Sequence, residues 1–146
     1  MSPVGISFQG KELVSFSHSE LKNLRKWIAD VAAIHGKKPG NILFNFMGDK
    51  DLIKINRDFL KHNALTDIIT FGYPKEDIIS GEIFISIDRV KENALKFKQP
   101  FSRELFRVII HGILHLCGYS DKTGAKKKAM RKMEDEALKT APDMSI

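Results

Sequence analysis

At the start of the chain Val4, Ile6 and Phe8 alternate with smaller or polar residues, and Gly10 interrupts the run before Leu13, Val14 and Phe16. Alternation followed by glycine predicts a strand and a turn, with a hairpin as one continuation. Ser17 or Ser19 can cap a helix that carries Leu21, Leu24, Ile28, Val31 and Ile34 at helical spacing and stops at Gly36. Pro39-Gly40 reads as a turn and residues 42–47 as a compact strand. Asp49 is placed to cap a short helix with Leu52, Ile53, Ile55 and Phe59. After an irregular stretch at 61–67, Ile68 to Phe71 read as a strand ending at Gly72 and Pro74, and Glu82 to Ile87 as another, entered through Ser80-Gly81.

The next helix holds Val90, Ala94, Leu95 and Phe97 and ends at Pro100. Ser102 is the expected cap of the most apolar helix, about 103–117, which Gly118 closes. A basic helix runs from about Thr123 to Leu138, and the tail over 141–146 is expected to fray. Strands and helices are interleaved irregularly. The expected class is therefore α+β, with a small mixed sheet of about four strands flanked by about five helices.

Composition narrows the function classes. At 146 residues the chain is one domain's worth, and 42% apolar residues suffice for a hydrophobic core. Ordinary apolar content and a net charge of +6, from 24 basic and 18 acidic residues, argue against disorder. A single cysteine argues against a disulfide scaffold and fits a reducing compartment. No apolar run reaches the ~18 to 20 residues of a membrane helix, and the N-terminus lacks a signal-peptide layout. The expectation is a cytoplasmic, non-membrane, moderately basic domain whose excess charge hints at an anionic partner.

The chemistry lies in 111–121, His-Gly-Ile-Leu-His-Leu-Cys-Gly-Tyr-Ser-Asp. On a helix, His111 and His115 are separated by about 40° and rise about 6 Å, so both imidazoles reach one ion. Gly118 lets the chain fold back, and Asp121 can then add a carboxylate. Two nitrogens and one oxygen leave a fourth position open, the arrangement of a catalytic zinc. The competing reading is two ordinary core histidines, since most i, i+4 pairs bind no metal. The helix weighs against it: Val108, Ile109, Ile110, Ile113, Leu114 and Leu116 cover most of its circumference, and burying two unpaired imidazoles is costly. Gly112 costs about 1 kcal/mol against alanine in a helix, which suggests close approach of another backbone or of substrate. It also stands where metalloproteases carry their glutamate base. Glu104 and Arg107 share the His111 stripe. Glu104 can orient a ligand or relay a proton and Arg107 can meet an anion, or each is an ordinary surface ion-pairing residue.

His111-Gly112, Leu114-His115-Leu116 and Gly118-Tyr119 resemble the signature of the YbeY endoribonucleases, bacterial ribosomal-RNA maturation factors. Upstream, Ile55-Asn56, Thr66-Asp67-Ile68-Ile69-Thr70-Phe71 and Gly81-Glu82-Ile83 resemble further blocks of that family in the same order, and Met130 and Glu134 match its last helix. The resemblance spans about 55–138. It implies a metal-dependent endoribonuclease that prefers single strands and acts in small-subunit ribosomal RNA maturation and ribosome quality control. It also implies a small mixed sheet flanked by helices.

Two positions depart from the family pattern. The family usually has a third histidine where this chain has Asp121, which adds a negative charge and suits zinc or iron(II). An arginine usually precedes the Thr-Asp block by six residues, and Leu60 stands there. Its phosphate-handling role is either vacant or moved to Lys61 or His62.

Lys122, Lys126, Lys127, Lys128, Arg131 and Lys132 follow Asp121 without an intervening acid. Such a run is usually a solvated helix face, but beside a metal site it can track RNA phosphates. Tyr73 and Tyr119 are the candidate stacking platforms. The reading is zinc held by His111, His115 and Asp121, with His111, His115, Arg107 and Lys61 as catalytic candidates. Its partners are single-stranded RNA, ribosomal RNA and the small ribosomal subunit. A peptidase on the same metal, or an RNA- or ribosome-binding module with a structural metal, are the rivals.

Overall fold

The protein is described by a computed structural model covering residues 5–60, 65–73 and 75–143. Ser17 starts the first long helix, α1 (His18–Ile34). Its hydroxyl accepts from the Glu20 N–H at 3.1 Å while the Glu20 carboxylate accepts from the Ser17 N–H at 2.8 Å, a complete capping box. The other helices are α2 (Asp49–Leu60), α3 (Ile87–Lys96), α4 (Phe101–Leu116) and α5 (Gly124–Leu138), the last capped by Thr123. Strands β1 (Ile6–Gln9), β2 (Lys38–Met47) and β4 (Ile78–Ser86) run parallel, and β3 (Ile68–Gly72) pairs antiparallel to β4. The sheet order is β1-β2-β4-β3. Among the described residues, five α-helices and a four-stranded mixed sheet make the α+β architecture expected from the pattern.

Period-two alternation sorts the strands into two faces. Phe44 and Phe46 of β2, Ile83 and Ile85 of β4 and Ile68 of β3 share the face on which α4 lies. Leu105, Ile109, Ile110, Ile113 and Leu114 of α4 are fully buried against it. On the opposite face Phe59 of α2 meets Phe71 edge-on, with ring centroids 6.2 Å apart, and Phe71 meets Phe84. α5 packs on α4, and the Trp27 indole N–H donates to the Ala137 carbonyl at 3.0 Å, tying α1 to α5. Among the described residues no helix is long and apolar enough to cross a membrane.

Several local expectations are corrected. No hairpin follows β1: a short 3-10 turn at Lys11–Leu13 leads to α1, and β1 pairs parallel with β2. Pro39-Gly40 is not a turn but lies inside β2, where the register with β4 shifts between Pro39 and Ile42. A Cβ at Gly40 would crowd the Ser80 and Ile78 side chains of β4, which would have to shift to admit one. Gly81 likewise lies inside β4, while Ile87 opens α3 instead of closing the strand. Ser102 is not a cap, because α4 already starts at Phe101 behind Pro100. Asp49 is the first residue of α2, and its carboxylate accepts from the Ser86 hydroxyl at 2.7 Å and from Arg89 at 3.1 Å. Part of the expected tail falls outside the described residues.

Two glycines set how closely the site's elements approach. A Cβ on Gly112 would lie 3.0 Å from the Cδ1 atoms of Ile68 and Ile83, so α4 settles directly onto the sheet. The close neighbours are isoleucine side chains, not the backbone or substrate anticipated from sequence. At Gly81 a Cβ would overlap the Phe71 carbonyl oxygen and lie 3.1 Å from Leu116 Cδ2. Gly81→Ala is expected to lower stability by about 1–3 kcal/mol through overpacking. Urea unfolding checks this; an unchanged midpoint would contradict the close approach of β3, β4 and α4.

Candidate metal centre

α4 presents both histidines from its last two turns, on the edge of its buried face. Their Nε2 atoms are 3.0 Å apart. The helix then stops in a Schellman arrangement: the Tyr119 N–H donates to the Leu114 carbonyl at 3.1 Å and the Gly118 N–H to the His115 carbonyl at 3.0 Å. Gly118 takes φ 104°, a left-handed conformation suited to glycine. The reversal returns Asp121 to the histidines, with Oδ2 3.3 Å from His111 Nε2 and Oδ1 3.7 Å from His115 Nε2. Ligand atoms of these three residues all lie within 4.8 Å of one another.

The outer partners fix the proton positions. His115 Nδ1 is 3.0 Å from the Tyr119 carbonyl oxygen, which can only accept, so that nitrogen donates. His111 Nδ1 is 2.7 Å from Glu134 Oε2, again an acceptor. With both Nδ1 atoms protonated, two Nε2 lone pairs face each other unless a cation lies between them. A proton on either Nε2 also relieves that opposition. Burial opposes charge on His111, but the Glu134 hydrogen bond and the carboxylates of Glu134, Asp121 and Asp67 outweigh it, and its pKa is raised. Burial and the neighbouring His111 lower the pKa of His115.

A tetrahedral ion with bonds of about 2.0–2.1 Å needs donors roughly 3.3 Å apart. The two Nε2 atoms, 3.0 Å apart, and Asp121 Oδ2, 3.3 Å from His111 Nε2, are close to that value, and one ligand atom from each of the three residues lies within 4.8 Å of the others. Donor type, tautomer and spacing therefore fit one divalent ion, with Glu134 and the Tyr119 carbonyl orienting the ligands from outside.

The family model described as "Endoribonuclease YbeY" matches residues 6–142. The chain belongs to the YbeY endoribonuclease family. A relative from Phocaeicola vulgatus, named "Endoribonuclease YbeY", is 47% identical over 133 residues, 91% of this chain and 96% of that protein. Another of the same name, from Flavobacterium psychrophilum, is 46% identical over 126 residues, covering 86% and 90%. A solution structure of a Thermotoga maritima protein superposes with a TM-score of 0.59 at 27% identity, covering 97% of this chain and 96% of that one. The family expected from the histidine block is thus the family found.

Two clefts meet at the YbeY-type centre, sharing Asp67, Ile68, His111 and Asp121. Asp67 leads into β3, and its carbonyl accepts from the Ser86 N–H at 2.9 Å. Burial raises the pKa of its carboxyl, against the opposing pull of His111. Glu104 is 5% exposed, and burial raises its carboxyl as well. The anions met by Arg107 are internal: Nη1 donates to Glu134 at 3.0 Å and Nη2 to Asp135 at 2.9 Å. Lys61 and His62 lie outside the described residues. Leu60 ends α2, 41% exposed, and lines neither cleft.

Of the basic run, Lys127 and Arg131 line a cleft. Tyr73 lines the other. The Tyr119 ring packs edge-on against His35, and its hydroxyl lies 2.9 Å from His35 Nδ1. That contact braces the turn whose carbonyl holds His115. Spacing within α4 could not have found it, because His35 lies in the distant segment after α1.

Glu134→Gln is expected to weaken divalent-ion binding about 10- to 100-fold, measured by chelator competition. A raised folded pKa means the His111–Glu134 pair contributes its stability fully below the ordinary imidazole value of about 6.5. That contribution disappears as pH rises through the folded value. In chelator, wild type and Glu134→Gln should therefore differ more in stability near about pH 5.5 than near about pH 8.5. A pH-independent difference would contradict the proton assignment.

Proposed function

We propose that the chain is one domain acting as a zinc-dependent endoribonuclease on single-stranded ribosomal RNA, in small-subunit maturation and ribosome quality control in the cytoplasm. The observation that carries the reading is the convergence of His111, His115 and Asp121 with tautomers set for ligation, in a chain of the YbeY family. When bound, a divalent ion supplies Lewis acidity toward a phosphodiester oxygen and an attacking oxygen.

The remaining work falls to side chains. Glu134 keeps the His111 proton on Nδ1, and Arg107, braced by Asp135, holds Glu134 in place. Arg107 is in this reading a positioning residue, acting through Glu134, and not the phosphate contact its stripe suggested. Asp67 faces both clefts with a carboxyl whose pKa burial raises. It is the group proposed to take a proton from the attacking oxygen on its carboxylate. Gly112 packs against Ile68 and Ile83, so no glutamate base of the metallopeptidase kind adjoins His111.

Single-stranded RNA and casein, each with and without chelator, test this directly. The protein is expected to cleave RNA and not casein, and to stop when the ion is removed. His115→Ala should lower cleavage more than about 100-fold with loss of the ion, and Asp67→Asn about 100-fold or more with the ion retained. RNA cleavage indifferent to chelator and to His115→Ala would overturn the metal-hydrolase reading. Chelator-insensitive RNA binding without cleavage would favour the binding module.

A further inference from the structure

The two clefts that meet at the centre differ in chemistry. The first, between α4 and β3, is about 680 Å³ and away from the shared centre is lined by the hydroxyl-bearing Thr66, Thr70, Tyr73 and Ser80, with no lysine or arginine among the described residues. The buried Thr70 Oγ1 has no hydrogen-bond partner among the described residues. Neutral donors and acceptors beside apolar surface suit a ribose and a base edge. They give a phosphate no countercharge.

The second cleft, between α4 and α5, is about 410 Å³ and, among the described residues, carries the lysines and arginines that line the pair. Its acids are Asp67 and Asp121, which belong to the shared centre, and the buried Glu104 and Glu134. Glu134 is 4% exposed and engaged by Arg107 and His111, and Glu104 is 5% exposed. Arg107 spends its guanidinium on Glu134 and Asp135. Away from the centre, Lys127, without an ion pair among the described residues, and Arg131, one turn further along α5 and 3.8 Å from Glu134, face solvent. Phe97 stands half-exposed among the lining residues.

We propose that these clefts are unlike subsites that give bound RNA one polarity across the centre. The nucleoside on one side of the cleaved linkage sits in the hydroxyl-lined cleft. The next phosphate on the other side sits against Lys127 and Arg131. The inference rests on the endoribonuclease reading and extends it to how the strand is seated.

The experiment uses metal-loaded protein and short RNAs that each carry one uncharged methylphosphonate linkage, with cut positions read by mass spectrometry. A neutral linkage next to the cut should slow cleavage about ten-fold on one side and less than about two-fold on the other. In a Lys127→Gln/Arg131→Gln variant that difference should vanish, with ion content and melting temperature unchanged. Equal slowing on both sides, or an asymmetry that survives in the variant, would overturn the proposal.

A second arm follows binding of uncleavable 2′-O-methyl RNA against salt concentration. The slope of log affinity on log salt should become shallower by about 0.7 for each phosphate that the variant no longer neutralises. An unchanged slope would overturn the proposal. If wild-type protein leaves RNA uncut, the endoribonuclease reading falls, and the salt arm still decides whether these cations seat a phosphate.

Discussion

Two imidazole nitrogens that both have to accept, held 3.0 Å apart, are the constraint around which the rest is arranged. Neither the Tyr119 carbonyl nor the Glu134 carboxylate can donate, so each pushes its histidine's lone pair into the same small volume. A proton or a metal ion has to occupy it. Keeping the imidazoles there requires α4 to be immobile, which its burial on the sheet through Gly112, Ile109 and Ile113 provides. It also requires the Gly118 reversal and the docking of α5, which delivers Glu134 from 23 residues away in the chain. Fold and site are thus one packing problem.

Charge around the centre follows from the same arrangement. Asp121 brings a full negative charge where a third imidazole would bring none, and Glu134, Asp67 and Glu104 lie nearby. Glu104 and Glu134 are buried, and buried carboxylates are tolerated only when paired or neutralised. Arg107 and His111 pair Glu134, and burial raises the carboxyl pKa of Glu104, as it does that of Asp67. An ion bound here meets a more negative ligand set, which makes it a weaker electrophile and widens the range of metals the site accepts. The exposed cations of α5 then matter more, because they offset that negative field where a polyanion approaches.

Much of this was legible in the sequence for identifiable reasons. Helical spacing placed His111 and His115 on one stripe, and glycine chemistry at 118 marked the reversal that brings Asp121 back. Both are local geometry. What local patterns missed is long-range: the Glu134 bond to His111, the partnership of Arg107 with Glu134 and Asp135, and the His35 contact to Tyr119 all join segments that only tertiary packing brings together. Gly40 and Gly81 misled for a related reason. Each resembles a turn signal, yet each lies inside a strand where a neighbour comes close, a backbone carbonyl at Gly81 and side chains at Gly40. Ser102 has the right chemistry for a cap but stands inside a helix that Pro100 had already begun.

The most direct measurement is a crystal structure of the protein with its divalent ion, located by anomalous scattering. The account predicts one ion per chain, bound by Nε2 of His111 and Nε2 of His115 at about 2.0–2.1 Å and by an Asp121 oxygen at about 2.0–2.2 Å, with a position left open. An ion bound by other residues, or an Asp121 carboxylate turned to solvent in the loaded protein, would contradict it.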